Sequence, residues 1–443
     1  MHTRRFATLS TSLAMIAMLF VAACGSSSGS TSAAAKGCTG KVSGKSTLTA
    51  WFHSGTGAER DTITQQVSAF NASQSNVTIK LVLLPEGNYD DQVKAAAASN
   101  SLPDILDFDG PLLYNYAWNK DLVPLDTCVS STLKANLLKS LVNQGTYANH
   151  FYGIGTFDSG LALYSRKSVL QSAGIRIPTG INDAWTADEF TQALVTLRKA
   201  GFDKPLDLKL NYGKGEWFTY GFSPILESAG GDLINRSDYK SATGALNSAS
   251  SVAALTTFQS WFKQGLVTAN VGDTDFTSGK AAISWVGHWV FQPYQKAFGS
   301  DLVLIPLPNF GQGSKTGLGS WQWGITQHAS NVDAAWSFIN YLMQDQEILR
   351  ITQANGAVPA TKSAAAQSPQ FSVGGAEYLY VQQLESNAVS RPQTAAYPTI
   401  TSSFAQAIQD ISDGKDVKTA LDTATQTINQ DITDNSGYPP PQQ

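Results

Sequence analysis

Residues 48–52 read Leu-Thr-Ala-Trp-Phe and residues 77–83 read Val-Thr-Ile-Lys-Leu-Val-Leu, and both stretches have the alternation of a β-strand. Between them, apolar side chains recur at helical spacing: Ile63, Val67 and Phe70. A short helix near Asp90–Ser99 and a third strand at Pro103–Asp107 are predicted next. Strands and helices that alternate in this way predict an α/β fold with a mostly parallel sheet.

Further along the chain the same kinds of element continue. A second apolar strand is predicted from Leu161 to Tyr164, and Thr186 with Glu189 forms a capping box that opens a helix. Another strand is predicted at Leu302–Ile305, and Asn331 is expected to cap a helix. The C-terminal third is predicted to be helical, and no internal repeat is present.

Length and composition limit the classes of function that the protein can have. The chain has 443 residues, 42% hydrophobic and 14% charged, with a net charge of −4. That length predicts two or three lobes. Without a long basic run, nucleic acid and anionic membranes are disfavoured as partners. No apolar stretch after the N-terminal one is long enough to span a bilayer, so any transport across a membrane needs another protein.

The N-terminus predicts export. Basic residues precede an apolar run from Leu13 to Ala23, which is too short for a stable membrane span and is typical of a signal peptide, residues 1–23. The run ends Val21-Ala-Ala-Cys24, which resembles the bacterial lipobox. The resemblance implies a lipid on the Cys24 sulfur and cleavage before it. A Gly- and Ser-rich tether follows, and residues 24–44 are assigned to it. The alternative is an ordinary signal peptide with a chance cysteine.

Three cysteines occur in the sequence. With Cys24 assigned to lipid, Cys38 and Cys128 form an even pair in an oxidising compartment, which predicts a disulfide; two buried free thiols are the alternative. The five histidines show no metal-binding spacing, so neither a metal nor another cofactor is expected.

Catalytic motifs are weak. Gly25-Ser-Ser-Ser-Gly29 matches a nucleophile-elbow pattern but lies in the tether, and Gly44-Lys-Ser46 lacks the upstream glycine of a phosphate loop. Asp107 and Asp109 are spaced so that they could form a glycosidase pair, although carboxylates at a strand end more often bind hydroxyls or are solvated. The sequence therefore favours a protein that is not an enzyme.

Tryptophans are the most informative side chains. Of 10 in the chain, five fall in segments rich in glycine and are predicted to lie in loops: Trp217, Trp285, Trp289, Trp321 and Trp323. An indole exposed in a loop suits the C–H face of a pyranose, while nearby polar side chains bond its hydroxyl groups. Packing remains the alternative for each ring taken alone.

Short motifs occur in a fixed order along the whole body: Pro103-Asp-Ile105, Leu122-Val-Pro-Leu125, Tyr152-Gly-Ile154, Gly287-His-Trp289, Ile305-Pro-Leu-Pro308 and Ala357-Val-Pro359. This order resembles the extracellular solute-binding proteins of ABC importers, the group that contains maltose-binding protein. The resemblance implies two α/β lobes joined by a three-strand hinge, in the manner of periplasmic binding proteins, with the ligand between the lobes.

The implied lobes are discontinuous in sequence. The N-terminal lobe is expected to comprise residues 45–157 and 306–360, and the C-terminal lobe residues 158–305 and 361–435; residues 436–443 are expected to form a loose tail. The hinge strands are expected near Phe157–Ser159, Leu304–Pro306 and Val358–Ala360.

Candidate ligand-binding residues follow from the resemblance, position by position. In the first lobe they are His53, Ser54, Glu59, Glu86, Asp107, Asp109, Trp321 and Trp323. In the second lobe they are Asp158, Trp217, Phe218, Trp289 and Tyr397. Trp289 has the strongest support, because Gly287-His-Trp289 matches a position where an aromatic ring stacks on sugar in the family.

The sequence therefore predicts a lipid-anchored, extracytoplasmic receptor that captures a sugar or oligosaccharide and delivers it to the permease of an ABC transporter. We expect a monomer with no cofactor. Three alternatives remain at this point: a receptor for polyol phosphates, which needs basic residues in the cleft, a secreted glycan-degrading enzyme, and a surface adhesin without a hinge.

Overall fold

The computed structural model describes residues 37–270 and 272–440. The predicted signal peptide and Cys24 lie outside the described residues. Two four-stranded sheets, each covered by helices, organise the chain. We call the sheet of strand order β12-β3-β1-β2 with its helices lobe A, and the sheet of order β10-β7-β9-β8 with its helices lobe B.

The strands are β1 Ser46–His53, β2 Val77–Leu84, β3 Ile105–Asp109, β4 Thr146–Tyr147, β5 His150–Phe151, β6 Phe157–Asp158, β7 Leu161–Arg166, β8 Leu206–Asp207, β9 Ile283–Gly287, β10 Leu302–Ile305, β11 Thr316–Leu318, β12 Trp321–Ile325, β13 Val358–Pro359 and β14 Ala388–Ser390.

The α-helices are α1 Gly57–Ser73, α2 Tyr89–Ala98, α3 Leu113–Trp118, α4 Ser131–Asn136, α5 Lys139–Gln144, α6 Lys167–Ser172, α7 Ala187–Lys199, α8 Glu216–Ser228, α9 Ala249–Lys263, α10 Phe291–Phe298, α11 Val332–Leu342, α12 Asp345–Asn355, α13 Lys362–Ala365, α14 Tyr378–Ser386, α15 Tyr397–Ser412 and α16 Val417–Asp434.

The sheet of lobe A is mostly parallel, as predicted. Strand β1 pairs in parallel with β2 and β3, and only β12 runs antiparallel, beside β3. Alternate residues of the strands enter the core, which is why Leu48, Ala50 and Ile79 are buried. The helical-spacing residues Ile63 and Phe70 of α1 cover the same core. Their burial explains the two periodicities in the sequence.

The sheet of lobe B is mixed. Strands β10, β7 and β9 are antiparallel neighbours, and β8 joins β9 in parallel. The core against it is rich in large rings: Trp185, Phe190, Phe258, Trp261 and Trp285. The predicted capping box is confirmed, since the Thr186 hydroxyl accepts from the Glu189 amide and the Glu189 carboxylate accepts from the Thr186 amide. The Asn331 cap of α11 is also confirmed.

The chain crosses between the lobes at three adjacent segments. Strand β6 pairs antiparallel with β13, and the Gly319 amide donates to the Ser159 carbonyl at 3.2 Å. One crossing was expected near Leu304–Pro306. In the structure Leu307 is buried in the core of lobe B, and β11 pairs with β14, so the chain reaches lobe A only at β12.

The beginning of the described chain is fastened to lobe A at two places. The predicted disulfide between Cys38 and Cys128 is present. The Thr39 and Gly40 amides donate to the Asp333 carboxylate in the first turn of α11, at 2.9 and 2.8 Å. Within the described residues, no helix is both long and apolar enough to cross a bilayer.

Candidate ligand-binding cleft

Five of the predicted residues lie at or near one edge of the sheet in lobe A. His53 ends β1, Asp109 ends β3, and Asp107 lies two residues before that end. Antiparallel pairing places Trp321 opposite Asp109 and Trp323 opposite Asp107. Since parallel strands end at the same edge, the topology gathers side chains that are far apart in sequence, and this edge faces lobe B at the chain crossings.

His53 is the centre of a buried charge network in lobe A. Its Nδ1 lies 2.5 Å from Asp107 Oδ2, and its Nε2 lies 3.8 Å from Glu59 Oε2. Burial disfavours the imidazolium, but Asp107 and Glu59 outweigh it and raise the pKa of His53 well above its usual value. Asn355 Nδ2 donates to Glu59 Oε1 at 3.0 Å, which satisfies the other carboxylate oxygen.

Trp321 forms an aromatic platform above this network. Its ring stacks on His53 with centroids 3.5 Å apart and planes 7° apart, and Tyr89 meets it edge-on at 5.6 Å. Trp321 is only partly buried. One face of the indole is therefore covered by the His53 imidazole.

Lobe B contributes a cluster of four rings. Trp217 and Tyr220 lie in the first turns of α8, Trp289 follows β9, and Tyr212 precedes α8. Trp217 and Trp289 meet edge-on at 5.9 Å, and Trp289 Nε1 donates to the Tyr212 hydroxyl at 3.1 Å. A Cβ on Gly287 would lie 2.1 Å from the Trp289 ring, so the ring packs on bare backbone that only glycine provides.

Arg391 joins the two lobes. Its two terminal nitrogens donate to Asp109 of lobe A at 2.5 and 2.7 Å, and Nη1 also donates to Glu216 of α8 at 2.5 Å. Its guanidinium carbon lies 4.8 Å from the centroid of Tyr220. Contacts therefore run from the strand end of lobe A, through Arg391, to the ring cluster of lobe B, whose Tyr220 and Trp289 are 6.4 Å apart.

Carboxyl groups near this bridge have shifted pKa values. Burial, together with the charges of Glu216 and Asp109, raises the pKa of Asp90 to about 8. Burial raises the pKa of Asp158 to about 7, against hydrogen bonds that favour its charged form, including one from Gln144 Nε2 at 3.1 Å. Asp158 lies in β6, at the first crossing between the lobes.

The other predicted residues have different surroundings. Phe218 is buried in the core of lobe B and Trp323 in that of lobe A, where Trp323 stacks on Phe52 at 5.6 Å. Tyr397 is buried and donates a hydrogen bond to Glu216. Ser54 donates to the Leu84 carbonyl at 3.0 Å, and Glu86 is exposed.

The prediction that five tryptophans lie in loops was wrong for most of them. Trp285 lies in β9 and is fully buried, Trp321 and Trp323 lie in β12, and Trp217 lies in the first turn of α8. The glycines near them lie in or beside short strands and helices rather than in long loops. Because β9 and β12 have only five residues each, glycines occur close together in sequence although the residues between them form strands.

Several cleft residues were missed by the sequence predictions. They are Asp90, Tyr212, Glu216, Tyr220 and Arg391. Glu216 and Tyr220 adjoin the predicted Trp217–Phe218 pair, so helical spacing from Trp217 was the available signal. Among the described residues, no group of three His, Cys, Asp or Glu side chains has the geometry of a metal site.

Comparison with known proteins assigns the chain to a family. Residues 65–376 match the sequence model of the bacterial extracellular solute-binding proteins. The chain belongs to this family. It is therefore an extracellular solute-binding protein with an α/β, two-lobe fold.

Relatives of this solute-binding protein are binding proteins too. A putative binding protein of Brucella abortus (strain 2308) is 21% identical over 78% of this chain and 84% of its own length. The melibiose/raffinose/stachyose-binding protein MelE of Bacillus subtilis is 31% identical over 36% of this chain and 38% of its own length.

Solved structures share the fold over nearly the whole body. The cyclic alpha-maltosyl-1,6-maltose binding protein from Arthrobacter globiformis is 25% identical, with a TM-score of 0.71, over 88% of this chain and all of the other. The GacH receptor of Streptomyces glaucescens is 22% identical, with a TM-score of 0.72, over 89% of this chain and 98% of the other.

Proposed function

We propose that this solute-binding protein captures an uncharged sugar or oligosaccharide between its two lobes and delivers it to the permease of an ABC importer. The observation that carries the proposal is the pair of partly buried tryptophans on opposite lobes, Trp321 and Trp289. Arg391 joins the same two lobes by contacting Asp109 and Tyr220. A ligand held by both lobes favours the closed form of the protein.

The chemistry of these side chains suits a pyranose. Its apolar C–H face stacks on an indole, and carboxylates such as Asp107 and Asp109 accept hydrogen bonds from its hydroxyl groups. The other candidate ligand contacts carried over from the family remain part of the proposal: His53, Ser54, Glu59, Glu86, Asp158, Trp217, Phe218, Trp323 and Tyr397.

A phosphate ligand is disfavoured by the charges in the cleft. Arg391 is the cation best placed to bind an anion, but Asp109 and Glu216 already hold both of its terminal nitrogens. His53 is likewise placed between Asp107 and Glu59. Because each cation faces two carboxylates, the cleft offers an anion no net attraction.

A hydrolytic function is also disfavoured. A glycosidase needs one protonated acid and one free carboxylate on either side of the scissile bond. Asp107 and Asp109, the predicted pair, are each bound to a cation, and the relatives reported above are named as binding proteins. The protein therefore binds its ligand without changing it.

The proposal includes a lipid anchor on Cys24 and a monomeric receptor. Val21-Ala-Ala-Cys24 and the tether after it support the anchor. Mass spectrometry of the protein extracted from membranes should find a diacylglyceryl group on Cys24, and Cys24→Ser should abolish it. An unmodified Cys24 in the membrane fraction would contradict the anchor without affecting sugar binding.

A thermal-shift screen tests the sugar. We would compare melibiose, raffinose, maltose, maltotriose and glycerol 3-phosphate, since a ligand that binds only the native state raises the melting temperature. At least one neutral sugar should raise it and the phosphate should not. A shift with glycerol 3-phosphate alone would overturn the proposal, and release of free monosaccharide from a bound oligosaccharide would indicate an enzyme.

A further inference from the structure

Arg391 is a residue of lobe B that reaches into lobe A. It directly follows β14, which pairs with β11, and the carbonyl of the preceding Ser390 accepts from Arg236 Nη1 of lobe B at 2.7 Å. Asp109 ends a strand of the lobe A sheet. The ion pair between Arg391 and Asp109 therefore spans the two lobes, whereas the pair between Arg391 and Glu216 lies within lobe B.

The guanidinium is enclosed on every side. Its side chain is only 3% exposed, and it lies between the ring of Tyr220 and the backbone of Gly319, where a Cβ would be 2.8 Å from Nη2. Gly319 belongs to the second crossing between the lobes. A side chain at position 319 would displace the guanidinium, so the Arg391 bridge requires a glycine at this crossing.

Further contacts hold the Glu216 carboxylate in place. Glu216 accepts hydrogen bonds from the Thr401 hydroxyl at 2.6 Å and from the Tyr397 hydroxyl. Tyr397 packs in one buried cluster with Tyr89 and Phe108 of lobe A, and Asn115 of α3 donates to the Ala395 carbonyl at 2.8 Å. Gln393 Nε2 also donates to the Asn143 carbonyl of α5 at 3.4 Å. The loop from Arg391 to Tyr397 thus touches lobe A at four positions, and Arg391 is its charged contact.

A bridge of this kind affects the two forms of the protein unequally. When the lobes separate, Asp109 loses its bidentate partner and must be hydrated instead. When they close, an unpaired Asp109 would be buried at a cost. The fork-shaped guanidinium satisfies both oxygens of the Asp109 carboxylate in the closed form. Arg391 therefore stabilises the closed form relative to the open form.

We propose that Arg391 is a positioning residue for closure: by bridging Asp109 of lobe A and Glu216 of lobe B, it sets the equilibrium between open and closed cleft and thereby the affinity for ligand. The affinity part of this inference rests on the proposed function. The conformational part does not, because it concerns contacts between protein groups alone.

Solution scattering of the full chain tests the conformational part. Arg391→Gln and Asp109→Asn should each give a larger radius of gyration than the wild type in buffer without sugar. The double variant should be no more open than Arg391→Gln, since both changes break one bridge. Arg176→Gln is the matched control, because Arg176 also binds two carboxylates, Asp183 and Glu189, but within lobe B.

Equal radii of gyration for the wild type and both single variants would overturn the proposal. If Arg391→Gln fails to fold by circular dichroism, Asp109→Asn decides the matter, since it keeps the side-chain size. In Arg391→Lys, which keeps the charge and loses the fork, the radius should fall between those of the wild type and Arg391→Gln.

Calorimetry with raffinose tests the affinity part. Arg391→Gln should bind it about ten-fold more weakly or worse, as a buried charged hydrogen bond is worth roughly that factor, and Arg176→Gln should bind like the wild type. Unchanged affinity in Arg391→Gln would contradict the link between bridge and affinity. If raffinose does not bind the wild type, that result counts against this sugar in the proposed function, while scattering still decides the bridge.

Discussion

The aromatic residues of the cleft differ in how free their rings are. Trp217 is 8% exposed, and its Nε1 donates to the Leu208 carbonyl at 3.1 Å, so it is held as part of the lobe B core. Trp289 and Trp321 stay partly exposed, each supported on one face by a neighbour. These two indoles are therefore the side chains best prepared to stack on a ligand.

Replacing Trp289 should weaken sugar binding and leave the fold intact. Trp289→Ala removes one stacking surface, and we expect a loss of about 1–3 kcal/mol in binding free energy. Trp289→Phe is the control, because it keeps a ring and should lose less. Calorimetry with a sugar that raises the melting temperature measures both, and equal affinity of Trp289→Ala and the wild type would refute the assigned cleft.

Glu377 should make the protein less stable in alkali. It is 1% exposed, its Oε1 has no hydrogen-bond partner, and burial raises its pKa to about 8 from an ordinary value of 4.5. The folded form therefore keeps a proton that the unfolded form releases near pH 4.5. This contribution to stability is complete below pH 4.5 and is lost as the pH rises through 8.

Glu377→Gln should remove that pH dependence. We expect the variant to exceed the wild type in unfolding free energy by roughly 2–4 kcal/mol at pH 8 and above, and much less at pH 4.5. Denaturant titrations at both pH values measure it. Glu385→Gln, an exposed change in helix α14, which Glu377 directly precedes, is the control. Parallel pH profiles for the wild type and Glu377→Gln would show that Glu377 ionises normally.

Sequence could identify side chains near the cleft only where local patterns point to them. His53 and Asp109 follow predicted strands closely, and Trp289 belongs to the Gly287-His-Trp289 motif, so position along the chain was informative. Arg391 lies 282 residues from Asp109 and 175 from Glu216, and no local pattern records such a contact. Whether an indole packs or stays free depends on tertiary neighbours, which is why Trp323 and Trp321 differ although two residues apart.

Elements were easier to predict than their contacts. The strands β1 and β2 and the helix α1 follow from side-chain periods of 2 and 3.6, and the capping residues Thr186 and Asn331 fix helix starts. The relative direction of paired strands was harder to predict from the sequence. The antiparallel pairs in lobe B depend on which strands become neighbours, and β7 pairs with β9 across more than a hundred intervening residues.

The disulfide should stabilise lobe A by restricting the unfolded chain. It joins residues 90 apart, for which the chain-entropy treatment gives roughly 4 kcal/mol. The double variant Cys38→Ala/Cys128→Ala should therefore unfold at lower denaturant concentration. Reducing agent should destabilise the wild type and leave the variant unchanged. Two alkylatable thiols in denatured, unreduced protein would show that the bridge does not form in solution.

At the scale of the whole molecule, the crossings determine how the lobes can move. Gly356 follows α12 with φ 72°, and it lies two residues before β13 at the third crossing. An l-amino acid with a side chain rarely adopts this backbone conformation. The crossings at β6, Gly319 and β13 are hydrogen-bonded side by side. Rotation about this narrow strip changes the cleft while both cores stay intact.

Sugar should therefore make the molecule more compact. A ligand shifts the open–closed equilibrium only by its difference in affinity for the two forms, and that difference requires contacts from both lobes. Trp321 and Asp107 provide them from lobe A, and Trp289 provides them from lobe B. Adding a sugar that raises the melting temperature should decrease the radius of gyration in solution scattering, and Trp289→Ala should reduce the decrease at equal sugar concentration. Tight binding with superimposable scattering curves would mean that the cleft is rigid and that the three crossings do not act as a hinge.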